Sequence, residues 1–192
     1  MELLKAIKER RSIRKFTSDP IDRALLEKII KESMWAPSGM NTQPWKFIVL
    51  EGKAKDEFIE ISNKAVDKLD ARLRELFGED MRSFIRGYFR DLGGAPTIIV
   101  VLNRFHDKHV YMHSSYVSAA AAIYNLCLLA HEAGLSTCWM TGQLWVEDEL
   151  LEYLKMDKQG WVLSGVIPIG YNGQKVQPPV PPRKDEEIIW LG

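Results

Sequence analysis

Apolar positions near the start of the chain return at helical spacing. Leu3, Leu4, Ala6 and Ile7 repeat with charged Lys5, Lys8 and Glu9 between and after them, which predicts a short amphipathic helix ending near Arg10. Asp22 is suited to cap a second helix, whose Leu25, Leu26, Ile29, Ile30 and Met34 line one face; Pro37 lies just beyond its end. Residues 45–50 are aromatic and β-branched and read as a strand. A long charged pattern over 53–77 puts Phe58, Ile61, Ala65, Leu69, Leu73 and Leu76 on the inner side of a helix. Gly78 interrupts it, and a further helix over 81–92 carries Phe84, Ile85, Tyr88 and Phe89.

An apolar strand over 97–102 follows Gly93-Gly94-Ala95-Pro96. Residues 112–133 form a helix that is apolar nearly all round, with consecutive alanines from Ala119 to Ala122. A helix without a wet face is buried centrally or at a subunit contact. Gly134 ends it as the glycine just past a helix does. A short strand over 137–140, a helix over 146–154 and a strand over 161–169 complete the pattern. The tail, 171–192, is rich in proline and polar groups until Ile188-Ile189-Trp190-Leu191; such an arm folds across a neighbour, and its apolar end can add a strand to a partner's sheet. With no repeat and no linker, residues 1–192 read as one α+β domain, a mostly antiparallel central sheet flanked by helices.

The 192 residues suffice for one substantial core, and 46% hydrophobic with 27% charged residues argues against disorder. Lys and Arg total 26 and Asp and Glu total 26, so the broad basic footprint of a nucleic-acid binder is missing and no nucleic-acid partner is expected. The N-terminal arginines therefore need a local explanation, a small anionic ligand or ion pairs. Cys127 and Cys138 are the two cysteines, with no C-x-x-C pair, which fits a reducing cytoplasm. The first residues lack the apolar run of a signal peptide. The most apolar stretch, 117–130, is short of the roughly 20 residues that span a bilayer and is interrupted by Ser118 and Asn125. A soluble, cytoplasmic protein without membrane association is expected.

Three segments carry chemistry. Arg10-Arg11-Ser12-Ile13-Arg14 and Pro181-Pro182-Arg183-Lys184 offer planar guanidiniums, which match phosphate oxygens better than an ammonium does. Pro37-Ser38-Gly39-Met40-Asn41-Thr42-Gln43-Pro44-Trp45 offers a tight turn of small residues with an amide and hydroxyls, suited to close approach by a flat polar ring. Together they point to a phosphorylated aromatic cofactor. Blander readings stand beside this one. Arg10, Arg11 and Arg14 can be a solvated helix end, where cations suit the helix dipole. Residues 37–45 can be an ordinary loop with Trp45 in the core. The P-x-x-P run is either a ligand for a proline-reading domain or a rigid arm. His106, His109 and His113 have zinc-like spacing, yet no cysteine lies near and Asp107 is the sole adjacent carboxylate, so solvated histidines and no metal are expected. Cys138 has no evident base and reads as a small buried hydrophobe.

In this order and spacing the segments resemble the FMN-dependent nitroreductase family, from Arg10 through Arg183. The motifs are Arg10-Arg11-Ser12-Ile13-Arg14-Lys15-Phe16, the run from Pro37 to Phe47, Gly134-Leu135-Ser136-Thr137-Cys138-Trp139, the turn Thr141-Gly142, and Gly170-Tyr171 before the proline-rich tail. The resemblance implies a homodimer with two FMN molecules at the subunit interface and the C-terminal arm exchanged. It implies that Arg10, Ser12 and Arg14 hold the ribityl phosphate and pyrimidine edge, that Arg11 adds main-chain or phosphate contacts, and that Arg183 with Lys184 closes over the phosphate. Pro37, Ser38, Gly39 and Asn41 would reach the flavin from the other subunit. Main-chain amides around Met140, Thr141 and Gly142 would face flavin N5 and the dimethylbenzene side.

The implied activity is two-electron reduction of a small-molecule acceptor, with NADH or NADPH as transient donor and ping-pong kinetics; nitroaromatics and quinones are the family's usual acceptors. No G-x-G-x-x-G fingerprint follows a strand, so the nicotinamide docks only in passing. No side chain is assigned a catalytic role. Residues 78–93 are the candidate lid. Either Phe84, Tyr88 and Phe89 stack on a flat substrate while Arg82, Arg86 and Arg90 meet its charge, or the aromatics pack inward and the arginines face water. Reductive dehalogenation or oxidative flavin chemistry on the same scaffold, and a flavin-binding protein without turnover, are the alternatives.

Overall fold

The computed structural model describes residues 2–176, 178–183 and 188–191. Its helices are α1 (Leu3–Glu9), α2 (Arg23–Ser33), α3 (Gly52–Phe89), α4 (His109–Glu132) and α5 (Glu147–Tyr153). Its strands are β1 (Trp45–Glu51), β2 (Thr97–Arg104), β3 (Ser136–Thr137) and β4 (Trp161–Gly170). The strands form one antiparallel sheet in the order β1-β2-β4-β3, so the expected α+β class holds.

The central strand β2 is apolar on successive positions because both of its faces are covered. Ile98, Val100 and Leu102 pack with Phe58, Ala65 and Val66 of α3 and Leu150 and Leu151 of α5. Ile99 and Val101 pack with Leu26 and Ile29 of α2 and Ile123 and Leu126 of α4. The result is a sheet between two helical layers, each strand residue serving one side. β4 needs one correction to keep this alternation. Val101 faces Gly165 but Leu102 faces Leu163, so Ser164 is an extra residue, a β-bulge. The bulge returns both Leu163 and Val166 to the α3–α5 side.

The predicted caps and breaks are present. The Asp22 carboxylate accepts the Leu25 N–H at 2.8 Å, and Gly134 follows α4 with φ 78°. Gly78, with φ 73° and ψ −178°, divides α3 into the two predicted helical runs; that φ lies in the left-handed region glycine tolerates. β3 is shorter than the predicted 137–140 strand. Beyond Thr137 the chain stays beside β4 only through single contacts, Cys138 N–H to Pro168 O at 3.2 Å and Met140 paired with Val166. No helix among the described residues is long and apolar enough to cross a membrane.

The bulge is also where a fully buried polar group is satisfied. Ser164 Oγ donates to Asn103 Oδ1 at 2.5 Å, and Asn103 Nδ2 donates to Ser115 Oγ at 3.0 Å and to the Arg104 carbonyl at 3.1 Å. This ties β2, β4 and α4 together where all three are dry. Asn103→Ala strands the buried Ser164 hydroxyl, while Ser115 Oγ keeps its bond to the Arg104 carbonyl at 2.9 Å, and is expected to cost about 2 kcal/mol. Urea unfolding reads this as a lowered midpoint at unchanged slope; an unshifted midpoint refutes it.

Candidate functional site

Beyond Arg10, where the backbone takes φ −55° and ψ 133°, the arginine-bearing segment leaves the helix and runs on as an extra edge of the sheet. Ser12 pairs in parallel with Thr137, and Ile13 N–H donates to Thr137 O at 3.0 Å. Phe16 N–H donates to Gly93 O at 2.8 Å, Thr17 N–H to Tyr171 O at 3.0 Å, and Gly173 N–H to Lys15 O at 2.9 Å. Ile13 and Phe16 turn inward onto Ala95. Arg14 remains exposed.

The arginines then divide by role. Arg11 Nη1 donates to the carbonyls of Lys8 at 2.6 Å and Arg10 at 2.8 Å, capping the C-terminal end of α1, where carbonyls lack helical partners. That is the blander reading, realised for this residue. The Arg10 guanidinium lies 5.8 Å from the centre of the Tyr124 ring. The buried Nε atoms of Arg10 and Arg11 and Nε2 of His131 have no hydrogen-bond partner among the described residues. All three side chains line a cavity of about 30 Å³ with Glu9, Ser136 and Asn172. His131 was not singled out from the sequence. Its one signal there is a polar residue in the last turn of an apolar helix. Burial pulls its pKa down; Glu9 opposes that, and Arg10 and Arg11 reinforce it.

Ser12 and Arg14 flank Cys138, whose thiol is pushed up by burial, with Arg14, Tyr88, Arg10 and Ser12 moderating the effect. A buried thiol held neutral is the small hydrophobe expected of Cys138. Its neighbour Tyr88 is likewise raised by burial, and the buried hydroxyl finds no oxygen or nitrogen partner among the described residues.

The loop before β1 is a strained turn. Met40, Asn41 and Gln43 all take positive φ, at 51°, 53° and 45°, a conformation with a cost that clusters at ligand-binding positions. Short bonds hold it: Gln43 N–H to Ser38 Oγ at 3.0 Å, Thr42 Oγ1 to Gly39 O at 2.9 Å, and Gln43 Nε2 to Asn41 Oδ1 at 3.1 Å. Gly39 lies directly on α4, where an added Cβ would stand 2.5 Å from Ser114 Oγ. Pro37, Gly39 and Asn41 are exposed and Ser38 is half-buried. A cavity of about 500 Å³ is lined by Pro37, Ser38 and Gly39 with Val110, His113 and Val117 of α4.

Within one chain these groups do not converge. The loop rests at Ser114 and Ser118 of α4, while the basic segment meets the same helix at Tyr124 and His131. Between and around them runs an exposed apolar face with Leu3, Leu4 and Ile7 of α1, Val110, Val117 and Tyr124 of α4, and Trp35 and Met40. The third group is split as well. The Met140 N–H donates to Val166 O at 2.9 Å, so the sheet already uses it. Thr141 is exposed, and Gly142 packs under Phe89, whose Cζ would lie 2.7 Å from an added Cβ. The Arg183 guanidinium turns back on the carbonyls of Pro181 and Pro182 at 3.2 and 3.3 Å. Lys184 lies outside the described residues.

The candidate lid resolves into both readings. Phe84 is half exposed and, with Tyr88 and Arg14, lines a cavity of about 800 Å³; Phe89 is buried. Arg82 grips Asp70 through Nε at 2.7 Å and Nη2 at 2.9 Å, and Arg86 reaches Asp67 at 2.9 Å and Asp70 at 3.2 Å. Hydrogen bonding to Arg82 holds the Asp70 carboxyl below its usual range. These arginines latch the two halves of α3 together across Gly78, so neither is turned to a substrate. His109 and His113 stack at 6.2 Å, and no cluster of three or more His, Cys, Asp or Glu among the described residues could hold a metal.

Residues 7–171 match the model of the Nitroreductase family, and the chain belongs to that family. Membership makes it an oxidoreductase. Among its relatives, the nitrobenzene nitroreductase of Ectopseudomonas oleovorans is 27% identical over 160 residues, covering 69% of this chain and 70% of the relative. The iodotyrosine deiodinase of Nematostella vectensis is 25% identical over 200 residues, covering 99% of this chain and 75% of that one. Among solved structures, a nitroreductase with bound FMN from Desulfitobacterium hafniense DCB-2 superposes with a TM-score of 0.78 at 20% identity, over the whole of both chains.

The contact of Gly39 with α4 can be tested directly. Gly39→Ala is expected to destabilise the protein by about 1–3 kcal/mol through overpacking. Ser114→Ala removes the obstructing oxygen and should restore most of the loss. A double-mutant cycle from urea unfolding measures the coupling; additive effects of the two changes would refute the contact.

Proposed function

We propose that this protein is an FMN-dependent NAD(P)H oxidoreductase that acts as a homodimer on small electrophiles such as nitroaromatics and quinones, by ping-pong turnover in the cytoplasm. The observation that carries the reading is the separation of two ligand-ready groups along α4. One supplies cations with unpaired buried nitrogens; the other supplies a strained, polar, exposed turn. A twofold contact through the exposed apolar faces of α1 and α4 would bring the loop of one protomer to the arginines of the other and bury that surface.

The residues present fit FMN. The donor-rich surroundings of Arg10 suit a phosphate carrying nearly two negative charges, with Ser12 beside it and Arg14 toward the pyrimidine edge. Arg11, already committed to the end of α1, positions its neighbours. Pro37, Ser38, Gly39 and Asn41 reach the ring across the dimer contact. Because the Met140 amide is engaged in the sheet, Thr141 and Gly142 are the residues that would offer an N–H toward N5. Arg183 and Lys184, on an arm whose Ile188, Ile189, Trp190 and Leu191 are all exposed, close over the phosphate of the partner's site.

Bound FMN would supply the redox chemistry, taking hydride from NAD(P)H and passing it to the acceptor. For a nitroaromatic the net change is ArNO2 + NAD(P)H + H+ → ArNO + NAD(P)+ + H2O. The protein contributes position, charge and exclusion of water. Reductive dehalogenation on the same scaffold is the second reading, favoured by the deiodinase relative that covers almost the whole chain; iodide release from an iodophenol separates it from nitro reduction.

Purified protein should be yellow, with flavin bands bleached by NAD(P)H and restored by a nitroaromatic or quinone. Colourless material that takes up no added FMN would sink the proposal. Arg10→Ala is expected to weaken FMN about 10- to 100-fold, the worth of a charge-assisted hydrogen bond. Fluorescence titration of the apoprotein measures it, and unchanged affinity removes Arg10 from the site. Light scattering should find every flavin-loaded particle at dimer mass.

A further inference from the structure

We propose that the cavity under Phe84 takes an aromatic acceptor bearing a negative charge, a carboxylate in the simplest case. The inference rests on the oxidoreductase reading above and adds the class of acceptor. The cavity, about 800 Å³, is of the size small-molecule sites have. Its apolar lining is mostly aromatic, with Val176 beside the rings. Phe16 and Tyr88 are buried and fixed, while Phe84, on the second half of α3, is 52% exposed and stands over the opening. Such rings favour a flat partner.

The charge is equally marked. Arg14, Lys15 and Lys175 all line the cavity, and Asp91 is the one carboxylate among its lining residues. That carboxylate is committed to the local turn, accepting the Gly93 N–H at 2.9 Å. Neither lysine meets a carboxylate among the described residues, in contrast to Arg82 and Arg86, which make four ion pairs with Asp67, Asp70 and Glu79. Lys15 and Lys175 are exposed and project from two backbone segments locked together by the Gly173 N–H to Lys15 O bond. Their spacing is therefore set by the sheet edge. Glycine backbone at Gly93 and Gly94 completes the floor, and Gly93 is required there because an added Cβ would stand 2.4 Å from the Arg14 carbonyl. A flat ring can thus lie along glycine backbone and aromatic rings with its anionic substituent toward the cations. A neutral acceptor gains only the stacking.

The test compares 4-nitrobenzoate with its uncharged relative 4-nitrobenzyl alcohol, in the wild type and in the double variant Lys15→Glu/Lys175→Glu. Binding to the flavin-loaded dimer is followed by calorimetry, and KM and kcat are expressed per bound flavin. In the wild type the anion should bind about tenfold more tightly, a preference that shrinks as salt is raised. The double variant should remove or invert the preference, acting on KM rather than kcat. Equal affinities for the two probes in the wild type, or an undiminished preference in the variant, overturn the proposal. Calorimetry reads the cavity even if turnover fails. A charge-selective protein that does not turn over would uphold this inference and refute the enzyme reading; a yellow, active protein without charge preference would do the reverse.

Discussion

The pairing of residues 12–17 with three separate parts of the chain is the constraint on which the site depends. Ile13 is held by β3, Phe16 by Gly93, and Thr17 and Gly173 close the ladder on the far side. Each is an ordinary amide bond, worth about 1 kcal/mol net. Together they convert a short basic stretch after a helix into a strand with defined faces. The separate anchor points send both Ile13 and Phe16 into the core and leave Arg14 and Lys15 outside, a spacing of three that simple strand alternation does not give. A basic segment fixed in this way has lost its backbone freedom before any ligand arrives, and preorganisation of that kind is a direct contribution to affinity.

The second constraint is the composition of α4. Its inner face carries Ala119, Ala122, Ile123, Leu126 and Ala130, all fully buried. Small residues let the helix lie close on the sheet, and they leave Ser114 and Ser118 free to receive the loop at Gly39. The outer face carries Val110, Val117 and Tyr124, which are exposed among the described residues. One helix thus supplies a core face, contacts to both candidate site segments and an exposed apolar surface. On the reading proposed above, separating the arginines from the loop along this helix is what would make a dimer necessary for a complete site.

Much of the fold was legible because it follows from periodicity and from residues with restricted backbones. Asp22, Gly78 and Gly134 sit where their chemistry ends or begins a helix, and the apolar run of β2 could be read directly as a strand. The bulge at Ser164 could not, since a one-residue slip leaves no trace in composition; its necessity appears only when Leu163 and Val166 must share a face. The site was legible as a set of motifs, and much less so as a geometry. Nothing in the order Arg10-Arg11-Ser12 distinguishes an arginine that caps a helix from one that waits for an anion. Met140 belonged to the same motif as Thr141, yet its amide is used by a single bridge to Val166. His131 escaped notice because its relevance comes from the fold bringing the end of α4 against α1.

A formal charge of zero hides an allocation of cations that the structure makes plain. Arg82 and Arg86 are consumed by Asp67, Asp70 and Glu79. Arg23 pairs with Glu27, and Arg104 and Lys46 lie over the Trp161 ring at 4.0 and 4.4 Å. Arg11 caps a helix. Arg10, Arg14, Lys15 and Lys175 meet no carboxylate among the described residues, and they lie along one edge of the sheet. Surface ion pairs add little stability, so pairing the remote cations changes the fold's energy only slightly. What it does change is the field. With Arg82 and Arg86 neutralised, Arg14, Lys15 and Lys175 are the unpaired cations lining the Phe84 cavity, and screening at physiological salt confines their pull on an approaching anion to about 8 Å. On the reading proposed above, selection of an anionic ligand would follow from which cations at this edge were left without partners, more than from how many the chain contains.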